Sequence, residues 1–205
     1  MRLGIAHHYG WAVAVTASVD HEVVDRRRME LIEHGLPAAP IHHEGGPHSL
    51  HRRGEPLDDE ALAELVARVR ASAARATVAA LDDLAATLSA PIRSISLRAW
   101  PHDFPDDIAV LRRPPYESHA DSVMYRQILA ELAEGRGWAI HLYDAARIEA
   151  EAVRILGDRA QEVLHGPRLT LGAPWAKDHR MALAATIVAS VVPREGGTRH
   201  AADGH

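Results

Sequence analysis

Apolar positions dominate the start of the chain. Leu3 to Ser18 reads LGIAHHYGWAVAVTAS, rich in β-branched residues and closed by Asp20-His21, which predicts a buried first strand. Glu22 to Ile32 alternates weakly and predicts a second strand, joined to the first by a tight turn at Val19–His21 to make a hairpin. From Pro37 to Pro56 the apolar period stops and glycine, proline and histidine take over. This is a long loop with a short third strand near Ile41 as one option. A helix follows. Leu62, Leu65, Val66, Val69, Ala73, Val78, Leu81, Leu84 and Leu88 trace one stripe, Asp58 or Asp59 caps it, and Pro91 ends it. Ile92–Trp100 alternates as a central strand, and Pro101–Glu117 is a loop. Ser118 is placed to cap a second helix with Asp121 as the reciprocal partner, and Gly135/Gly137 terminate it. Trp138–Asp144 is another strand. Ala145–Leu156 and Arg159–Leu164 are helices, and Lys177–Val192 is an apolar helix with Asp178 at its start.

Strands and helices that alternate after an antiparallel unit predict an α/β fold with a mixed sheet and helices on both faces. One domain over residues 1–193 and a flexible polar tail over 194–205 account for the length of 205 residues.

Composition narrows the chemistry. There is no cysteine, so disulfides, iron–sulfur clusters and thiolate zinc sites are excluded. The net charge of −5 argues against broad non-specific nucleic-acid binding and leaves room for a local basic cleft built from Arg26–Arg28, Arg52–Arg53 or Arg112–Arg113. No apolar run approaches the roughly 20 residues of a membrane span, and no secretory leader is evident. The expectation is a cytoplasmic protein with no membrane partner.

The element order and several phrases together resemble the ribonuclease H-like superfamily, nearest to Holliday-junction resolvases and transposases with a resolvase-like catalytic domain. LGIAHHYGWAVAVTAS is similar to the family's first strand. ISLRAW, then ADSVMYRQILAELAEGRGWAIHLYDAARI, is similar to its fourth strand, next helix and fifth strand, and DHRMALAATIVA resembles its final helix. The resemblance implies a ribonuclease H-like fold, hydrolase-type activity, and nucleic acid or a phosphorylated compound as partner. It also implies a carboxylate cluster that holds divalent metal. Here the first-strand acid position is Ala6, the fourth-strand position falls on Leu97 or Arg98, and the final helix keeps Asp178 but has Met181 at its other acid place. A hard cation finds too few oxygen ligands in that set.

Fifteen histidines change the picture again. His7, His8, Asp178 and His179 are candidate catalytic residues, and His102/Asp103 could join them. Imidazole suits a divalent transition metal such as zinc, nickel, iron or manganese, with His7, Asp178 and His43 as candidate ligands. Metal-free acid–base chemistry, with Asp178 fixing a histidine tautomer, is the alternative. Strand alternation sends adjacent residues to opposite faces, so one of His7 and His8 is expected to meet Asp178 and the other to be structural. His7 is the expected partner of Asp178. The loop IHHEGGPHSLH offers His42, His43, Glu44, His48 and His51 as a second cluster. Arg112, Arg113 and Ser118 form a candidate anion-binding rim. Three functions stay open: a divergent hydrolase-type enzyme, a non-catalytic binding module, and a small-molecule enzyme unrelated to phosphate chemistry.

Overall fold

The computed structural model describes residues 1–46 and 55–191. The expectations for His48, His51, Arg52–Arg53 and the tail 194–205 lie outside the described residues. No described helix is long and apolar enough to cross a membrane.

The architecture is α/β, built on a five-stranded mixed sheet in the order β3-β2-β1-β4-β5. β1 (Arg2–His8), β2 (Trp11–Ala17) and β3 (Val23–Glu30) form an antiparallel meander. β4 (Ser94–Arg98) joins parallel to β1, and β5 (Ala139–Tyr143) joins parallel to β4. The two later strands thus run parallel to the first.

The expected two-strand hairpin is corrected. What reads as one long strand from Leu3 to Ser18 folds back on itself at Tyr9-Gly10, pairing His8 with Trp11 and Arg2 with Ala17. Gly10 makes the reversal possible with φ of 76°, and an added Cβ there would lie 2.9 Å from Ile32 Cγ2. Apolar content on both sides of the turn hid it, because each strand is buried on both faces.

Alternation divides β1 cleanly. Leu3 and Ile5 face one core with Ala12, Ala14, Ile95 and Leu97, covered by α1 (Asp59–Thr87) and α3 (Ala120–Gly135). Ala6 faces the other with Val13, Val15 and Tyr143, covered by α4 (Ile148–Leu156), α5 (Ala160–His165) and α7 (Lys177–Val188). The short helices α2 (Ile108–Leu111) and α6 (Pro167–Leu171) complete the chain. Of the two expected cap candidates, Asp58 caps α1, its carboxylate accepting from Ala61 N at 2.8 Å. α7 crosses β1 so closely that a Cβ on Gly4 would sit 1.9 Å from Ala182 O.

Two further expectations are corrected. Ile41 is not in a strand. Residues Ile41–Gly45 form one wide helical turn. Nor does Ser118 cap α3. His119 occupies the cap position without a side-chain bond, and the Ser118 hydroxyl donates to Pro115 O at 3.4 Å. Asp121, read as a capping partner of Ser118, turns inward and is 1% exposed. Its two oxygens accept from Ile41 N (3.1 Å) and His42 N (2.9 Å), so the helical turn gains its cap from a neighbouring helix.

Candidate functional site

The β1–β4 ladder ends at Gly4–Ser96, and beyond it the two strands separate. The Tyr143 hydroxyl reaches across to Ile5 O at 2.7 Å, and above it the carboxyl ends of β1 and β4 diverge. This is where open α/β sheets generally bind ligands. An open cleft of about 400 Å³ lies there, lined by His7, His8, Tyr9, Trp11, Arg98, Ser118, His119 and Ser122. None of these lining side chains is an acid.

The two histidines point to opposite faces, and their assignment reverses the expectation. His8, not His7, meets Asp178: its Nε2 lies 2.9 Å from Asp178 Oδ2. Even-numbered residues of β1 face α7, which carries Asp178, and odd-numbered ones face α3. His8 stacks on Trp11 with ring centroids 4.0 Å apart and an 11° interplanar angle. The Arg28 guanidinium lies 3.9 Å from the same indole. β2 lies between β1 and β3, so the indole is flanked from both sides and serves as a brace for His8. With Nε2–H donated to Asp178, the His8 Nδ1 is left with its lone pair. The His8 side chain is 42% exposed, so solvent and ligands reach it.

His7 sits on a different network. Its Nε2 is 2.9 Å from Ser122 Oγ, which also receives Arg126 Nη2 at 3.2 Å. Arg126 can only donate, so the Ser122 oxygen accepts from it while the same hydroxyl pairs with the His7 ring. Burial, reinforced by Arg126 and Arg98, pushes the His7 imidazole down to about 3, so it is neutral. Arg126 is buried at 5% exposure. It donates to Ala99 O (2.6 Å), Arg98 O (3.4 Å) and Ser122 O (3.0 Å), tying the end of β4 to α3. Burial lowers Arg126 to about 10, and the guanidinium remains a cation at neutral pH.

Arg98 is the cleft's accessible charge. It is exposed at the end of β4, and among the described residues its side chain makes no hydrogen bond or ion pair. The positions that the family resemblance assigns to acids hold other residues. Ala6 is 1% exposed beneath α7, Leu97 is buried in the first core, and Met181 packs against the second.

The remaining candidates are dispersed. His179 is buried and turned into its own helix start, where Nδ1 accepts from Ala176 N at 3.2 Å while the ring packs on Trp175. Burial and Arg26 lower its basicity. His43 belongs to the turn Ile41–Gly45, its ring 5.3 Å from that of His42. His102 and Asp103 are exposed and do not line the cleft. Arg112 is committed elsewhere: its guanidinium donates to Gly45 O at 3.0 Å, to Leu57 O and to Asp59. Arg113 is exposed and also absent from the cleft lining, so of the proposed anion rim Ser118 alone reaches the cleft.

The proposed metal ligands His7, Asp178 and His43 do not gather. They lie on the α3 face, the α7 face and the turn at 41–45. Among the described residues no three His, Asp or Glu side chains form a metal-holding group. Asp178, the carboxylate that reaches the cleft residues, is bound to His8, and the lining itself carries the cation Arg98. This donor set does not fit a divalent cation.

Sequence reading missed Ser122, Arg126, the buried role of Asp121 and the bracing role of Trp11. A signal existed for the α3 residues. Asp121 and Arg126 fall among Val123, Met124, Tyr125, Ile128 and Leu129, all buried, and a charge in such a stripe requires a partner. No protein-family model, curated protein or solved structure matches this chain.

Proposed function

We propose that the chain is a ribonuclease H-like domain that holds a phosphate-bearing ligand in the His8–Arg98 cleft. In this reading His8 with Asp178 acts as a proton-transfer pair in a hydrolase-type reaction on nucleic acid or a smaller phosphorylated compound. The sheet order β3-β2-β1-β4-β5, antiparallel in its first three strands and parallel in its last two, supports the fold part of this reading. The observation that carries the chemistry is the 2.9 Å His8–Asp178 contact beside the unpaired Arg98 in a cleft with no acid in its lining.

Asp178 fixes the His8 tautomer and stabilises the imidazolium that forms when Nδ1 accepts a proton from water or a hydroxyl. Arg98 offers a planar two-pronged donor to a phosphate. Neutral His7 lines the cleft without adding charge. No step requires a metal ion.

Hydrolysis of activated phosphate mono- and diesters in the presence of a chelator tests the reading. His8→Ala and Asp178→Asn are expected to lower turnover by about 100-fold or more with the fold intact, and Arg98→Ala to raise KM more than it lowers kcat. Absence of both turnover and phosphate binding in the unaltered chain would refute the proposal. A second reading, a binding module without turnover, is favoured by the brace on His8. A ring stacked on Trp11 and tied to Asp178 is well fixed, and in its protonated form the Nδ1–H can donate to an anion. Phosphate binding that depends on Arg98, with no hydrolysis of any ester, selects it.

A further inference from the structure

The two edges of the sheet differ in how they are finished. The β3 edge carries Asp25, Arg26, Arg27, Arg28 and Glu30, and charges of this kind block strand addition. The β5 edge, AIHLY, carries no charged side chain, no proline and no glycine. Leu142 is 51% exposed on it, and Ala139 is exposed beside it. Ala139 N donates to Arg93 O, and Tyr143 O accepts from Ala99 N. Residues 139, 141 and 143 therefore direct their backbone groups to β4. By the same alternation Ile140 and Leu142 direct theirs outward.

We propose that this edge pairs with a second copy of itself, two chains meeting by antiparallel β5–β5 addition about a two-fold axis at His141. In that register Ile140 of one copy faces Leu142 of the other. Each exchanges both N–H and C=O, and the outward polar groups of the strand are satisfied. His141 faces its own counterpart as the non-hydrogen-bonded pair, with Cα atoms about 4.5 Å apart. Self-pairing is permitted electrostatically because from Gly137 to Tyr143 neither copy presents a fixed charge to the other.

The competing occupant is the chain's own C-terminal segment. Ala189 and Ser190, just after α7, line a groove together with Ala139 and His141, so the last described residues lie beside this edge. The sequence of residues 192–205, VPREGGTRHAADGH, holds a proline and three glycines and is a poor strand former, which favours the second copy. A five-residue edge alone is smaller than the roughly 1,200 Å² total of a stable specific interface, so the association is concentration-dependent.

Sedimentation equilibrium of the full chain is expected to show a reversible monomer–dimer equilibrium. Leu142→Pro removes an outward N–H and leaves the ladder to β4 intact, so it is expected to yield a monomer with unchanged far-UV circular dichroism and melting. The chain has no cysteine, so His141→Cys gives a clean register test. Mild oxidation should link it into a disulfide dimer far faster than Leu142→Cys, whose thiols do not face each other. A chain that stays monomeric at every soluble concentration, with His141→Cys unlinked, would overturn the proposal. So would a dimer that survives Leu142→Pro, or one that appears only after residues 192–205 are deleted. If Leu142→Pro does not fold, the cysteine pair decides the question.

Discussion

Two side chains held against their ordinary ionisation set opposite pH dependences. Burial raises the Asp121 carboxyl from 3.8 to about 7, despite the two amide bonds that favour its charged form. The native state then binds more protons than the unfolded one between these values, so this group's contribution to stability falls as pH rises from about 4 to about 7. His7 acts the other way. Its value drops from 6.5 to about 3, so its contribution is lost as pH falls through that window. Replacing one residue at a time exposes the other. Asp121→Asn is expected to give melting temperatures that decline more steeply toward acid than those of the unaltered chain, because the effect of His7 is left unopposed. His7→Gln, which can still accept from Ser122, is expected to flatten the acid side and leave a decline toward neutral pH. Thermal melts across this range check both, and parallel curves for all three proteins would count against them. Asp121→Asn also faces an amide NH₂ against one of the two backbone N–H groups, a loss of about 1–3 kcal/mol in denaturant unfolding.

Among the helices and strands, the crossing of α7 over β1 fixes the site. Gly4 is where the helix backbone touches the strand, and Ala182 O leaves no room for a Cβ. Gly4→Ala is expected to cost about 3 kcal/mol or more, the upper range for overpacking. It should also displace Asp178 from His8, since both belong to the elements forced apart. Denaturant unfolding measures the first effect, and the histidine ring resonances report the second. The loop before α7 is held from the sheet. Arg26 donates to Leu171 O at 2.7 Å, to Gly172 O at 3.0 Å, to Ala173 O at 3.3 Å and to Pro174 O. Arg26→Ala is expected to speed amide exchange of the residues following α6 with little change in the α1 core. Equal exchange in both proteins would show that the loop is held by packing alone.

Taken together, the sheet, the cleft and its charges define the expected reactivity of the protein. With Ala6 and Arg98 where the resemblance places acids, Mg²⁺- or Mn²⁺-dependent cleavage of branched DNA, single strands or an RNA–DNA hybrid is expected to be absent. Phosphate binding is expected to be unchanged by chelator. Incubation of each substrate with and without metal tests this directly. Robust cleavage that disappears in Asp178→Asn would show that the missing carboxylates come from elsewhere in the fold.

The pattern of apolar positions was enough to place α1 and its Asp58 cap, β4, β5 and α7. These signals are local: a helical stripe, strict alternation and a cap residue depend on nearest neighbours along the chain. The same alternation was enough to send His7 and His8 to opposite faces. Which face belongs to which helix is not a local property. It follows from α7 crossing β1 at Gly4, and so His8, not His7, received Asp178. The turn at Gly10 was invisible for a related reason: strands buried on both faces lose the polar alternation that would mark a boundary. Asp121 reads as a helix-start carboxylate until the turn Ile41–Gly45, about 80 residues earlier, brings the backbone amides of Ile41 and His42 to it. Ser122 and Arg98 became part of one cleft, with Arg126 buried behind Ser122, because β1 and β4 separate after Gly4–Ser96, a divergence set by sheet twist and by the helices packed on either side.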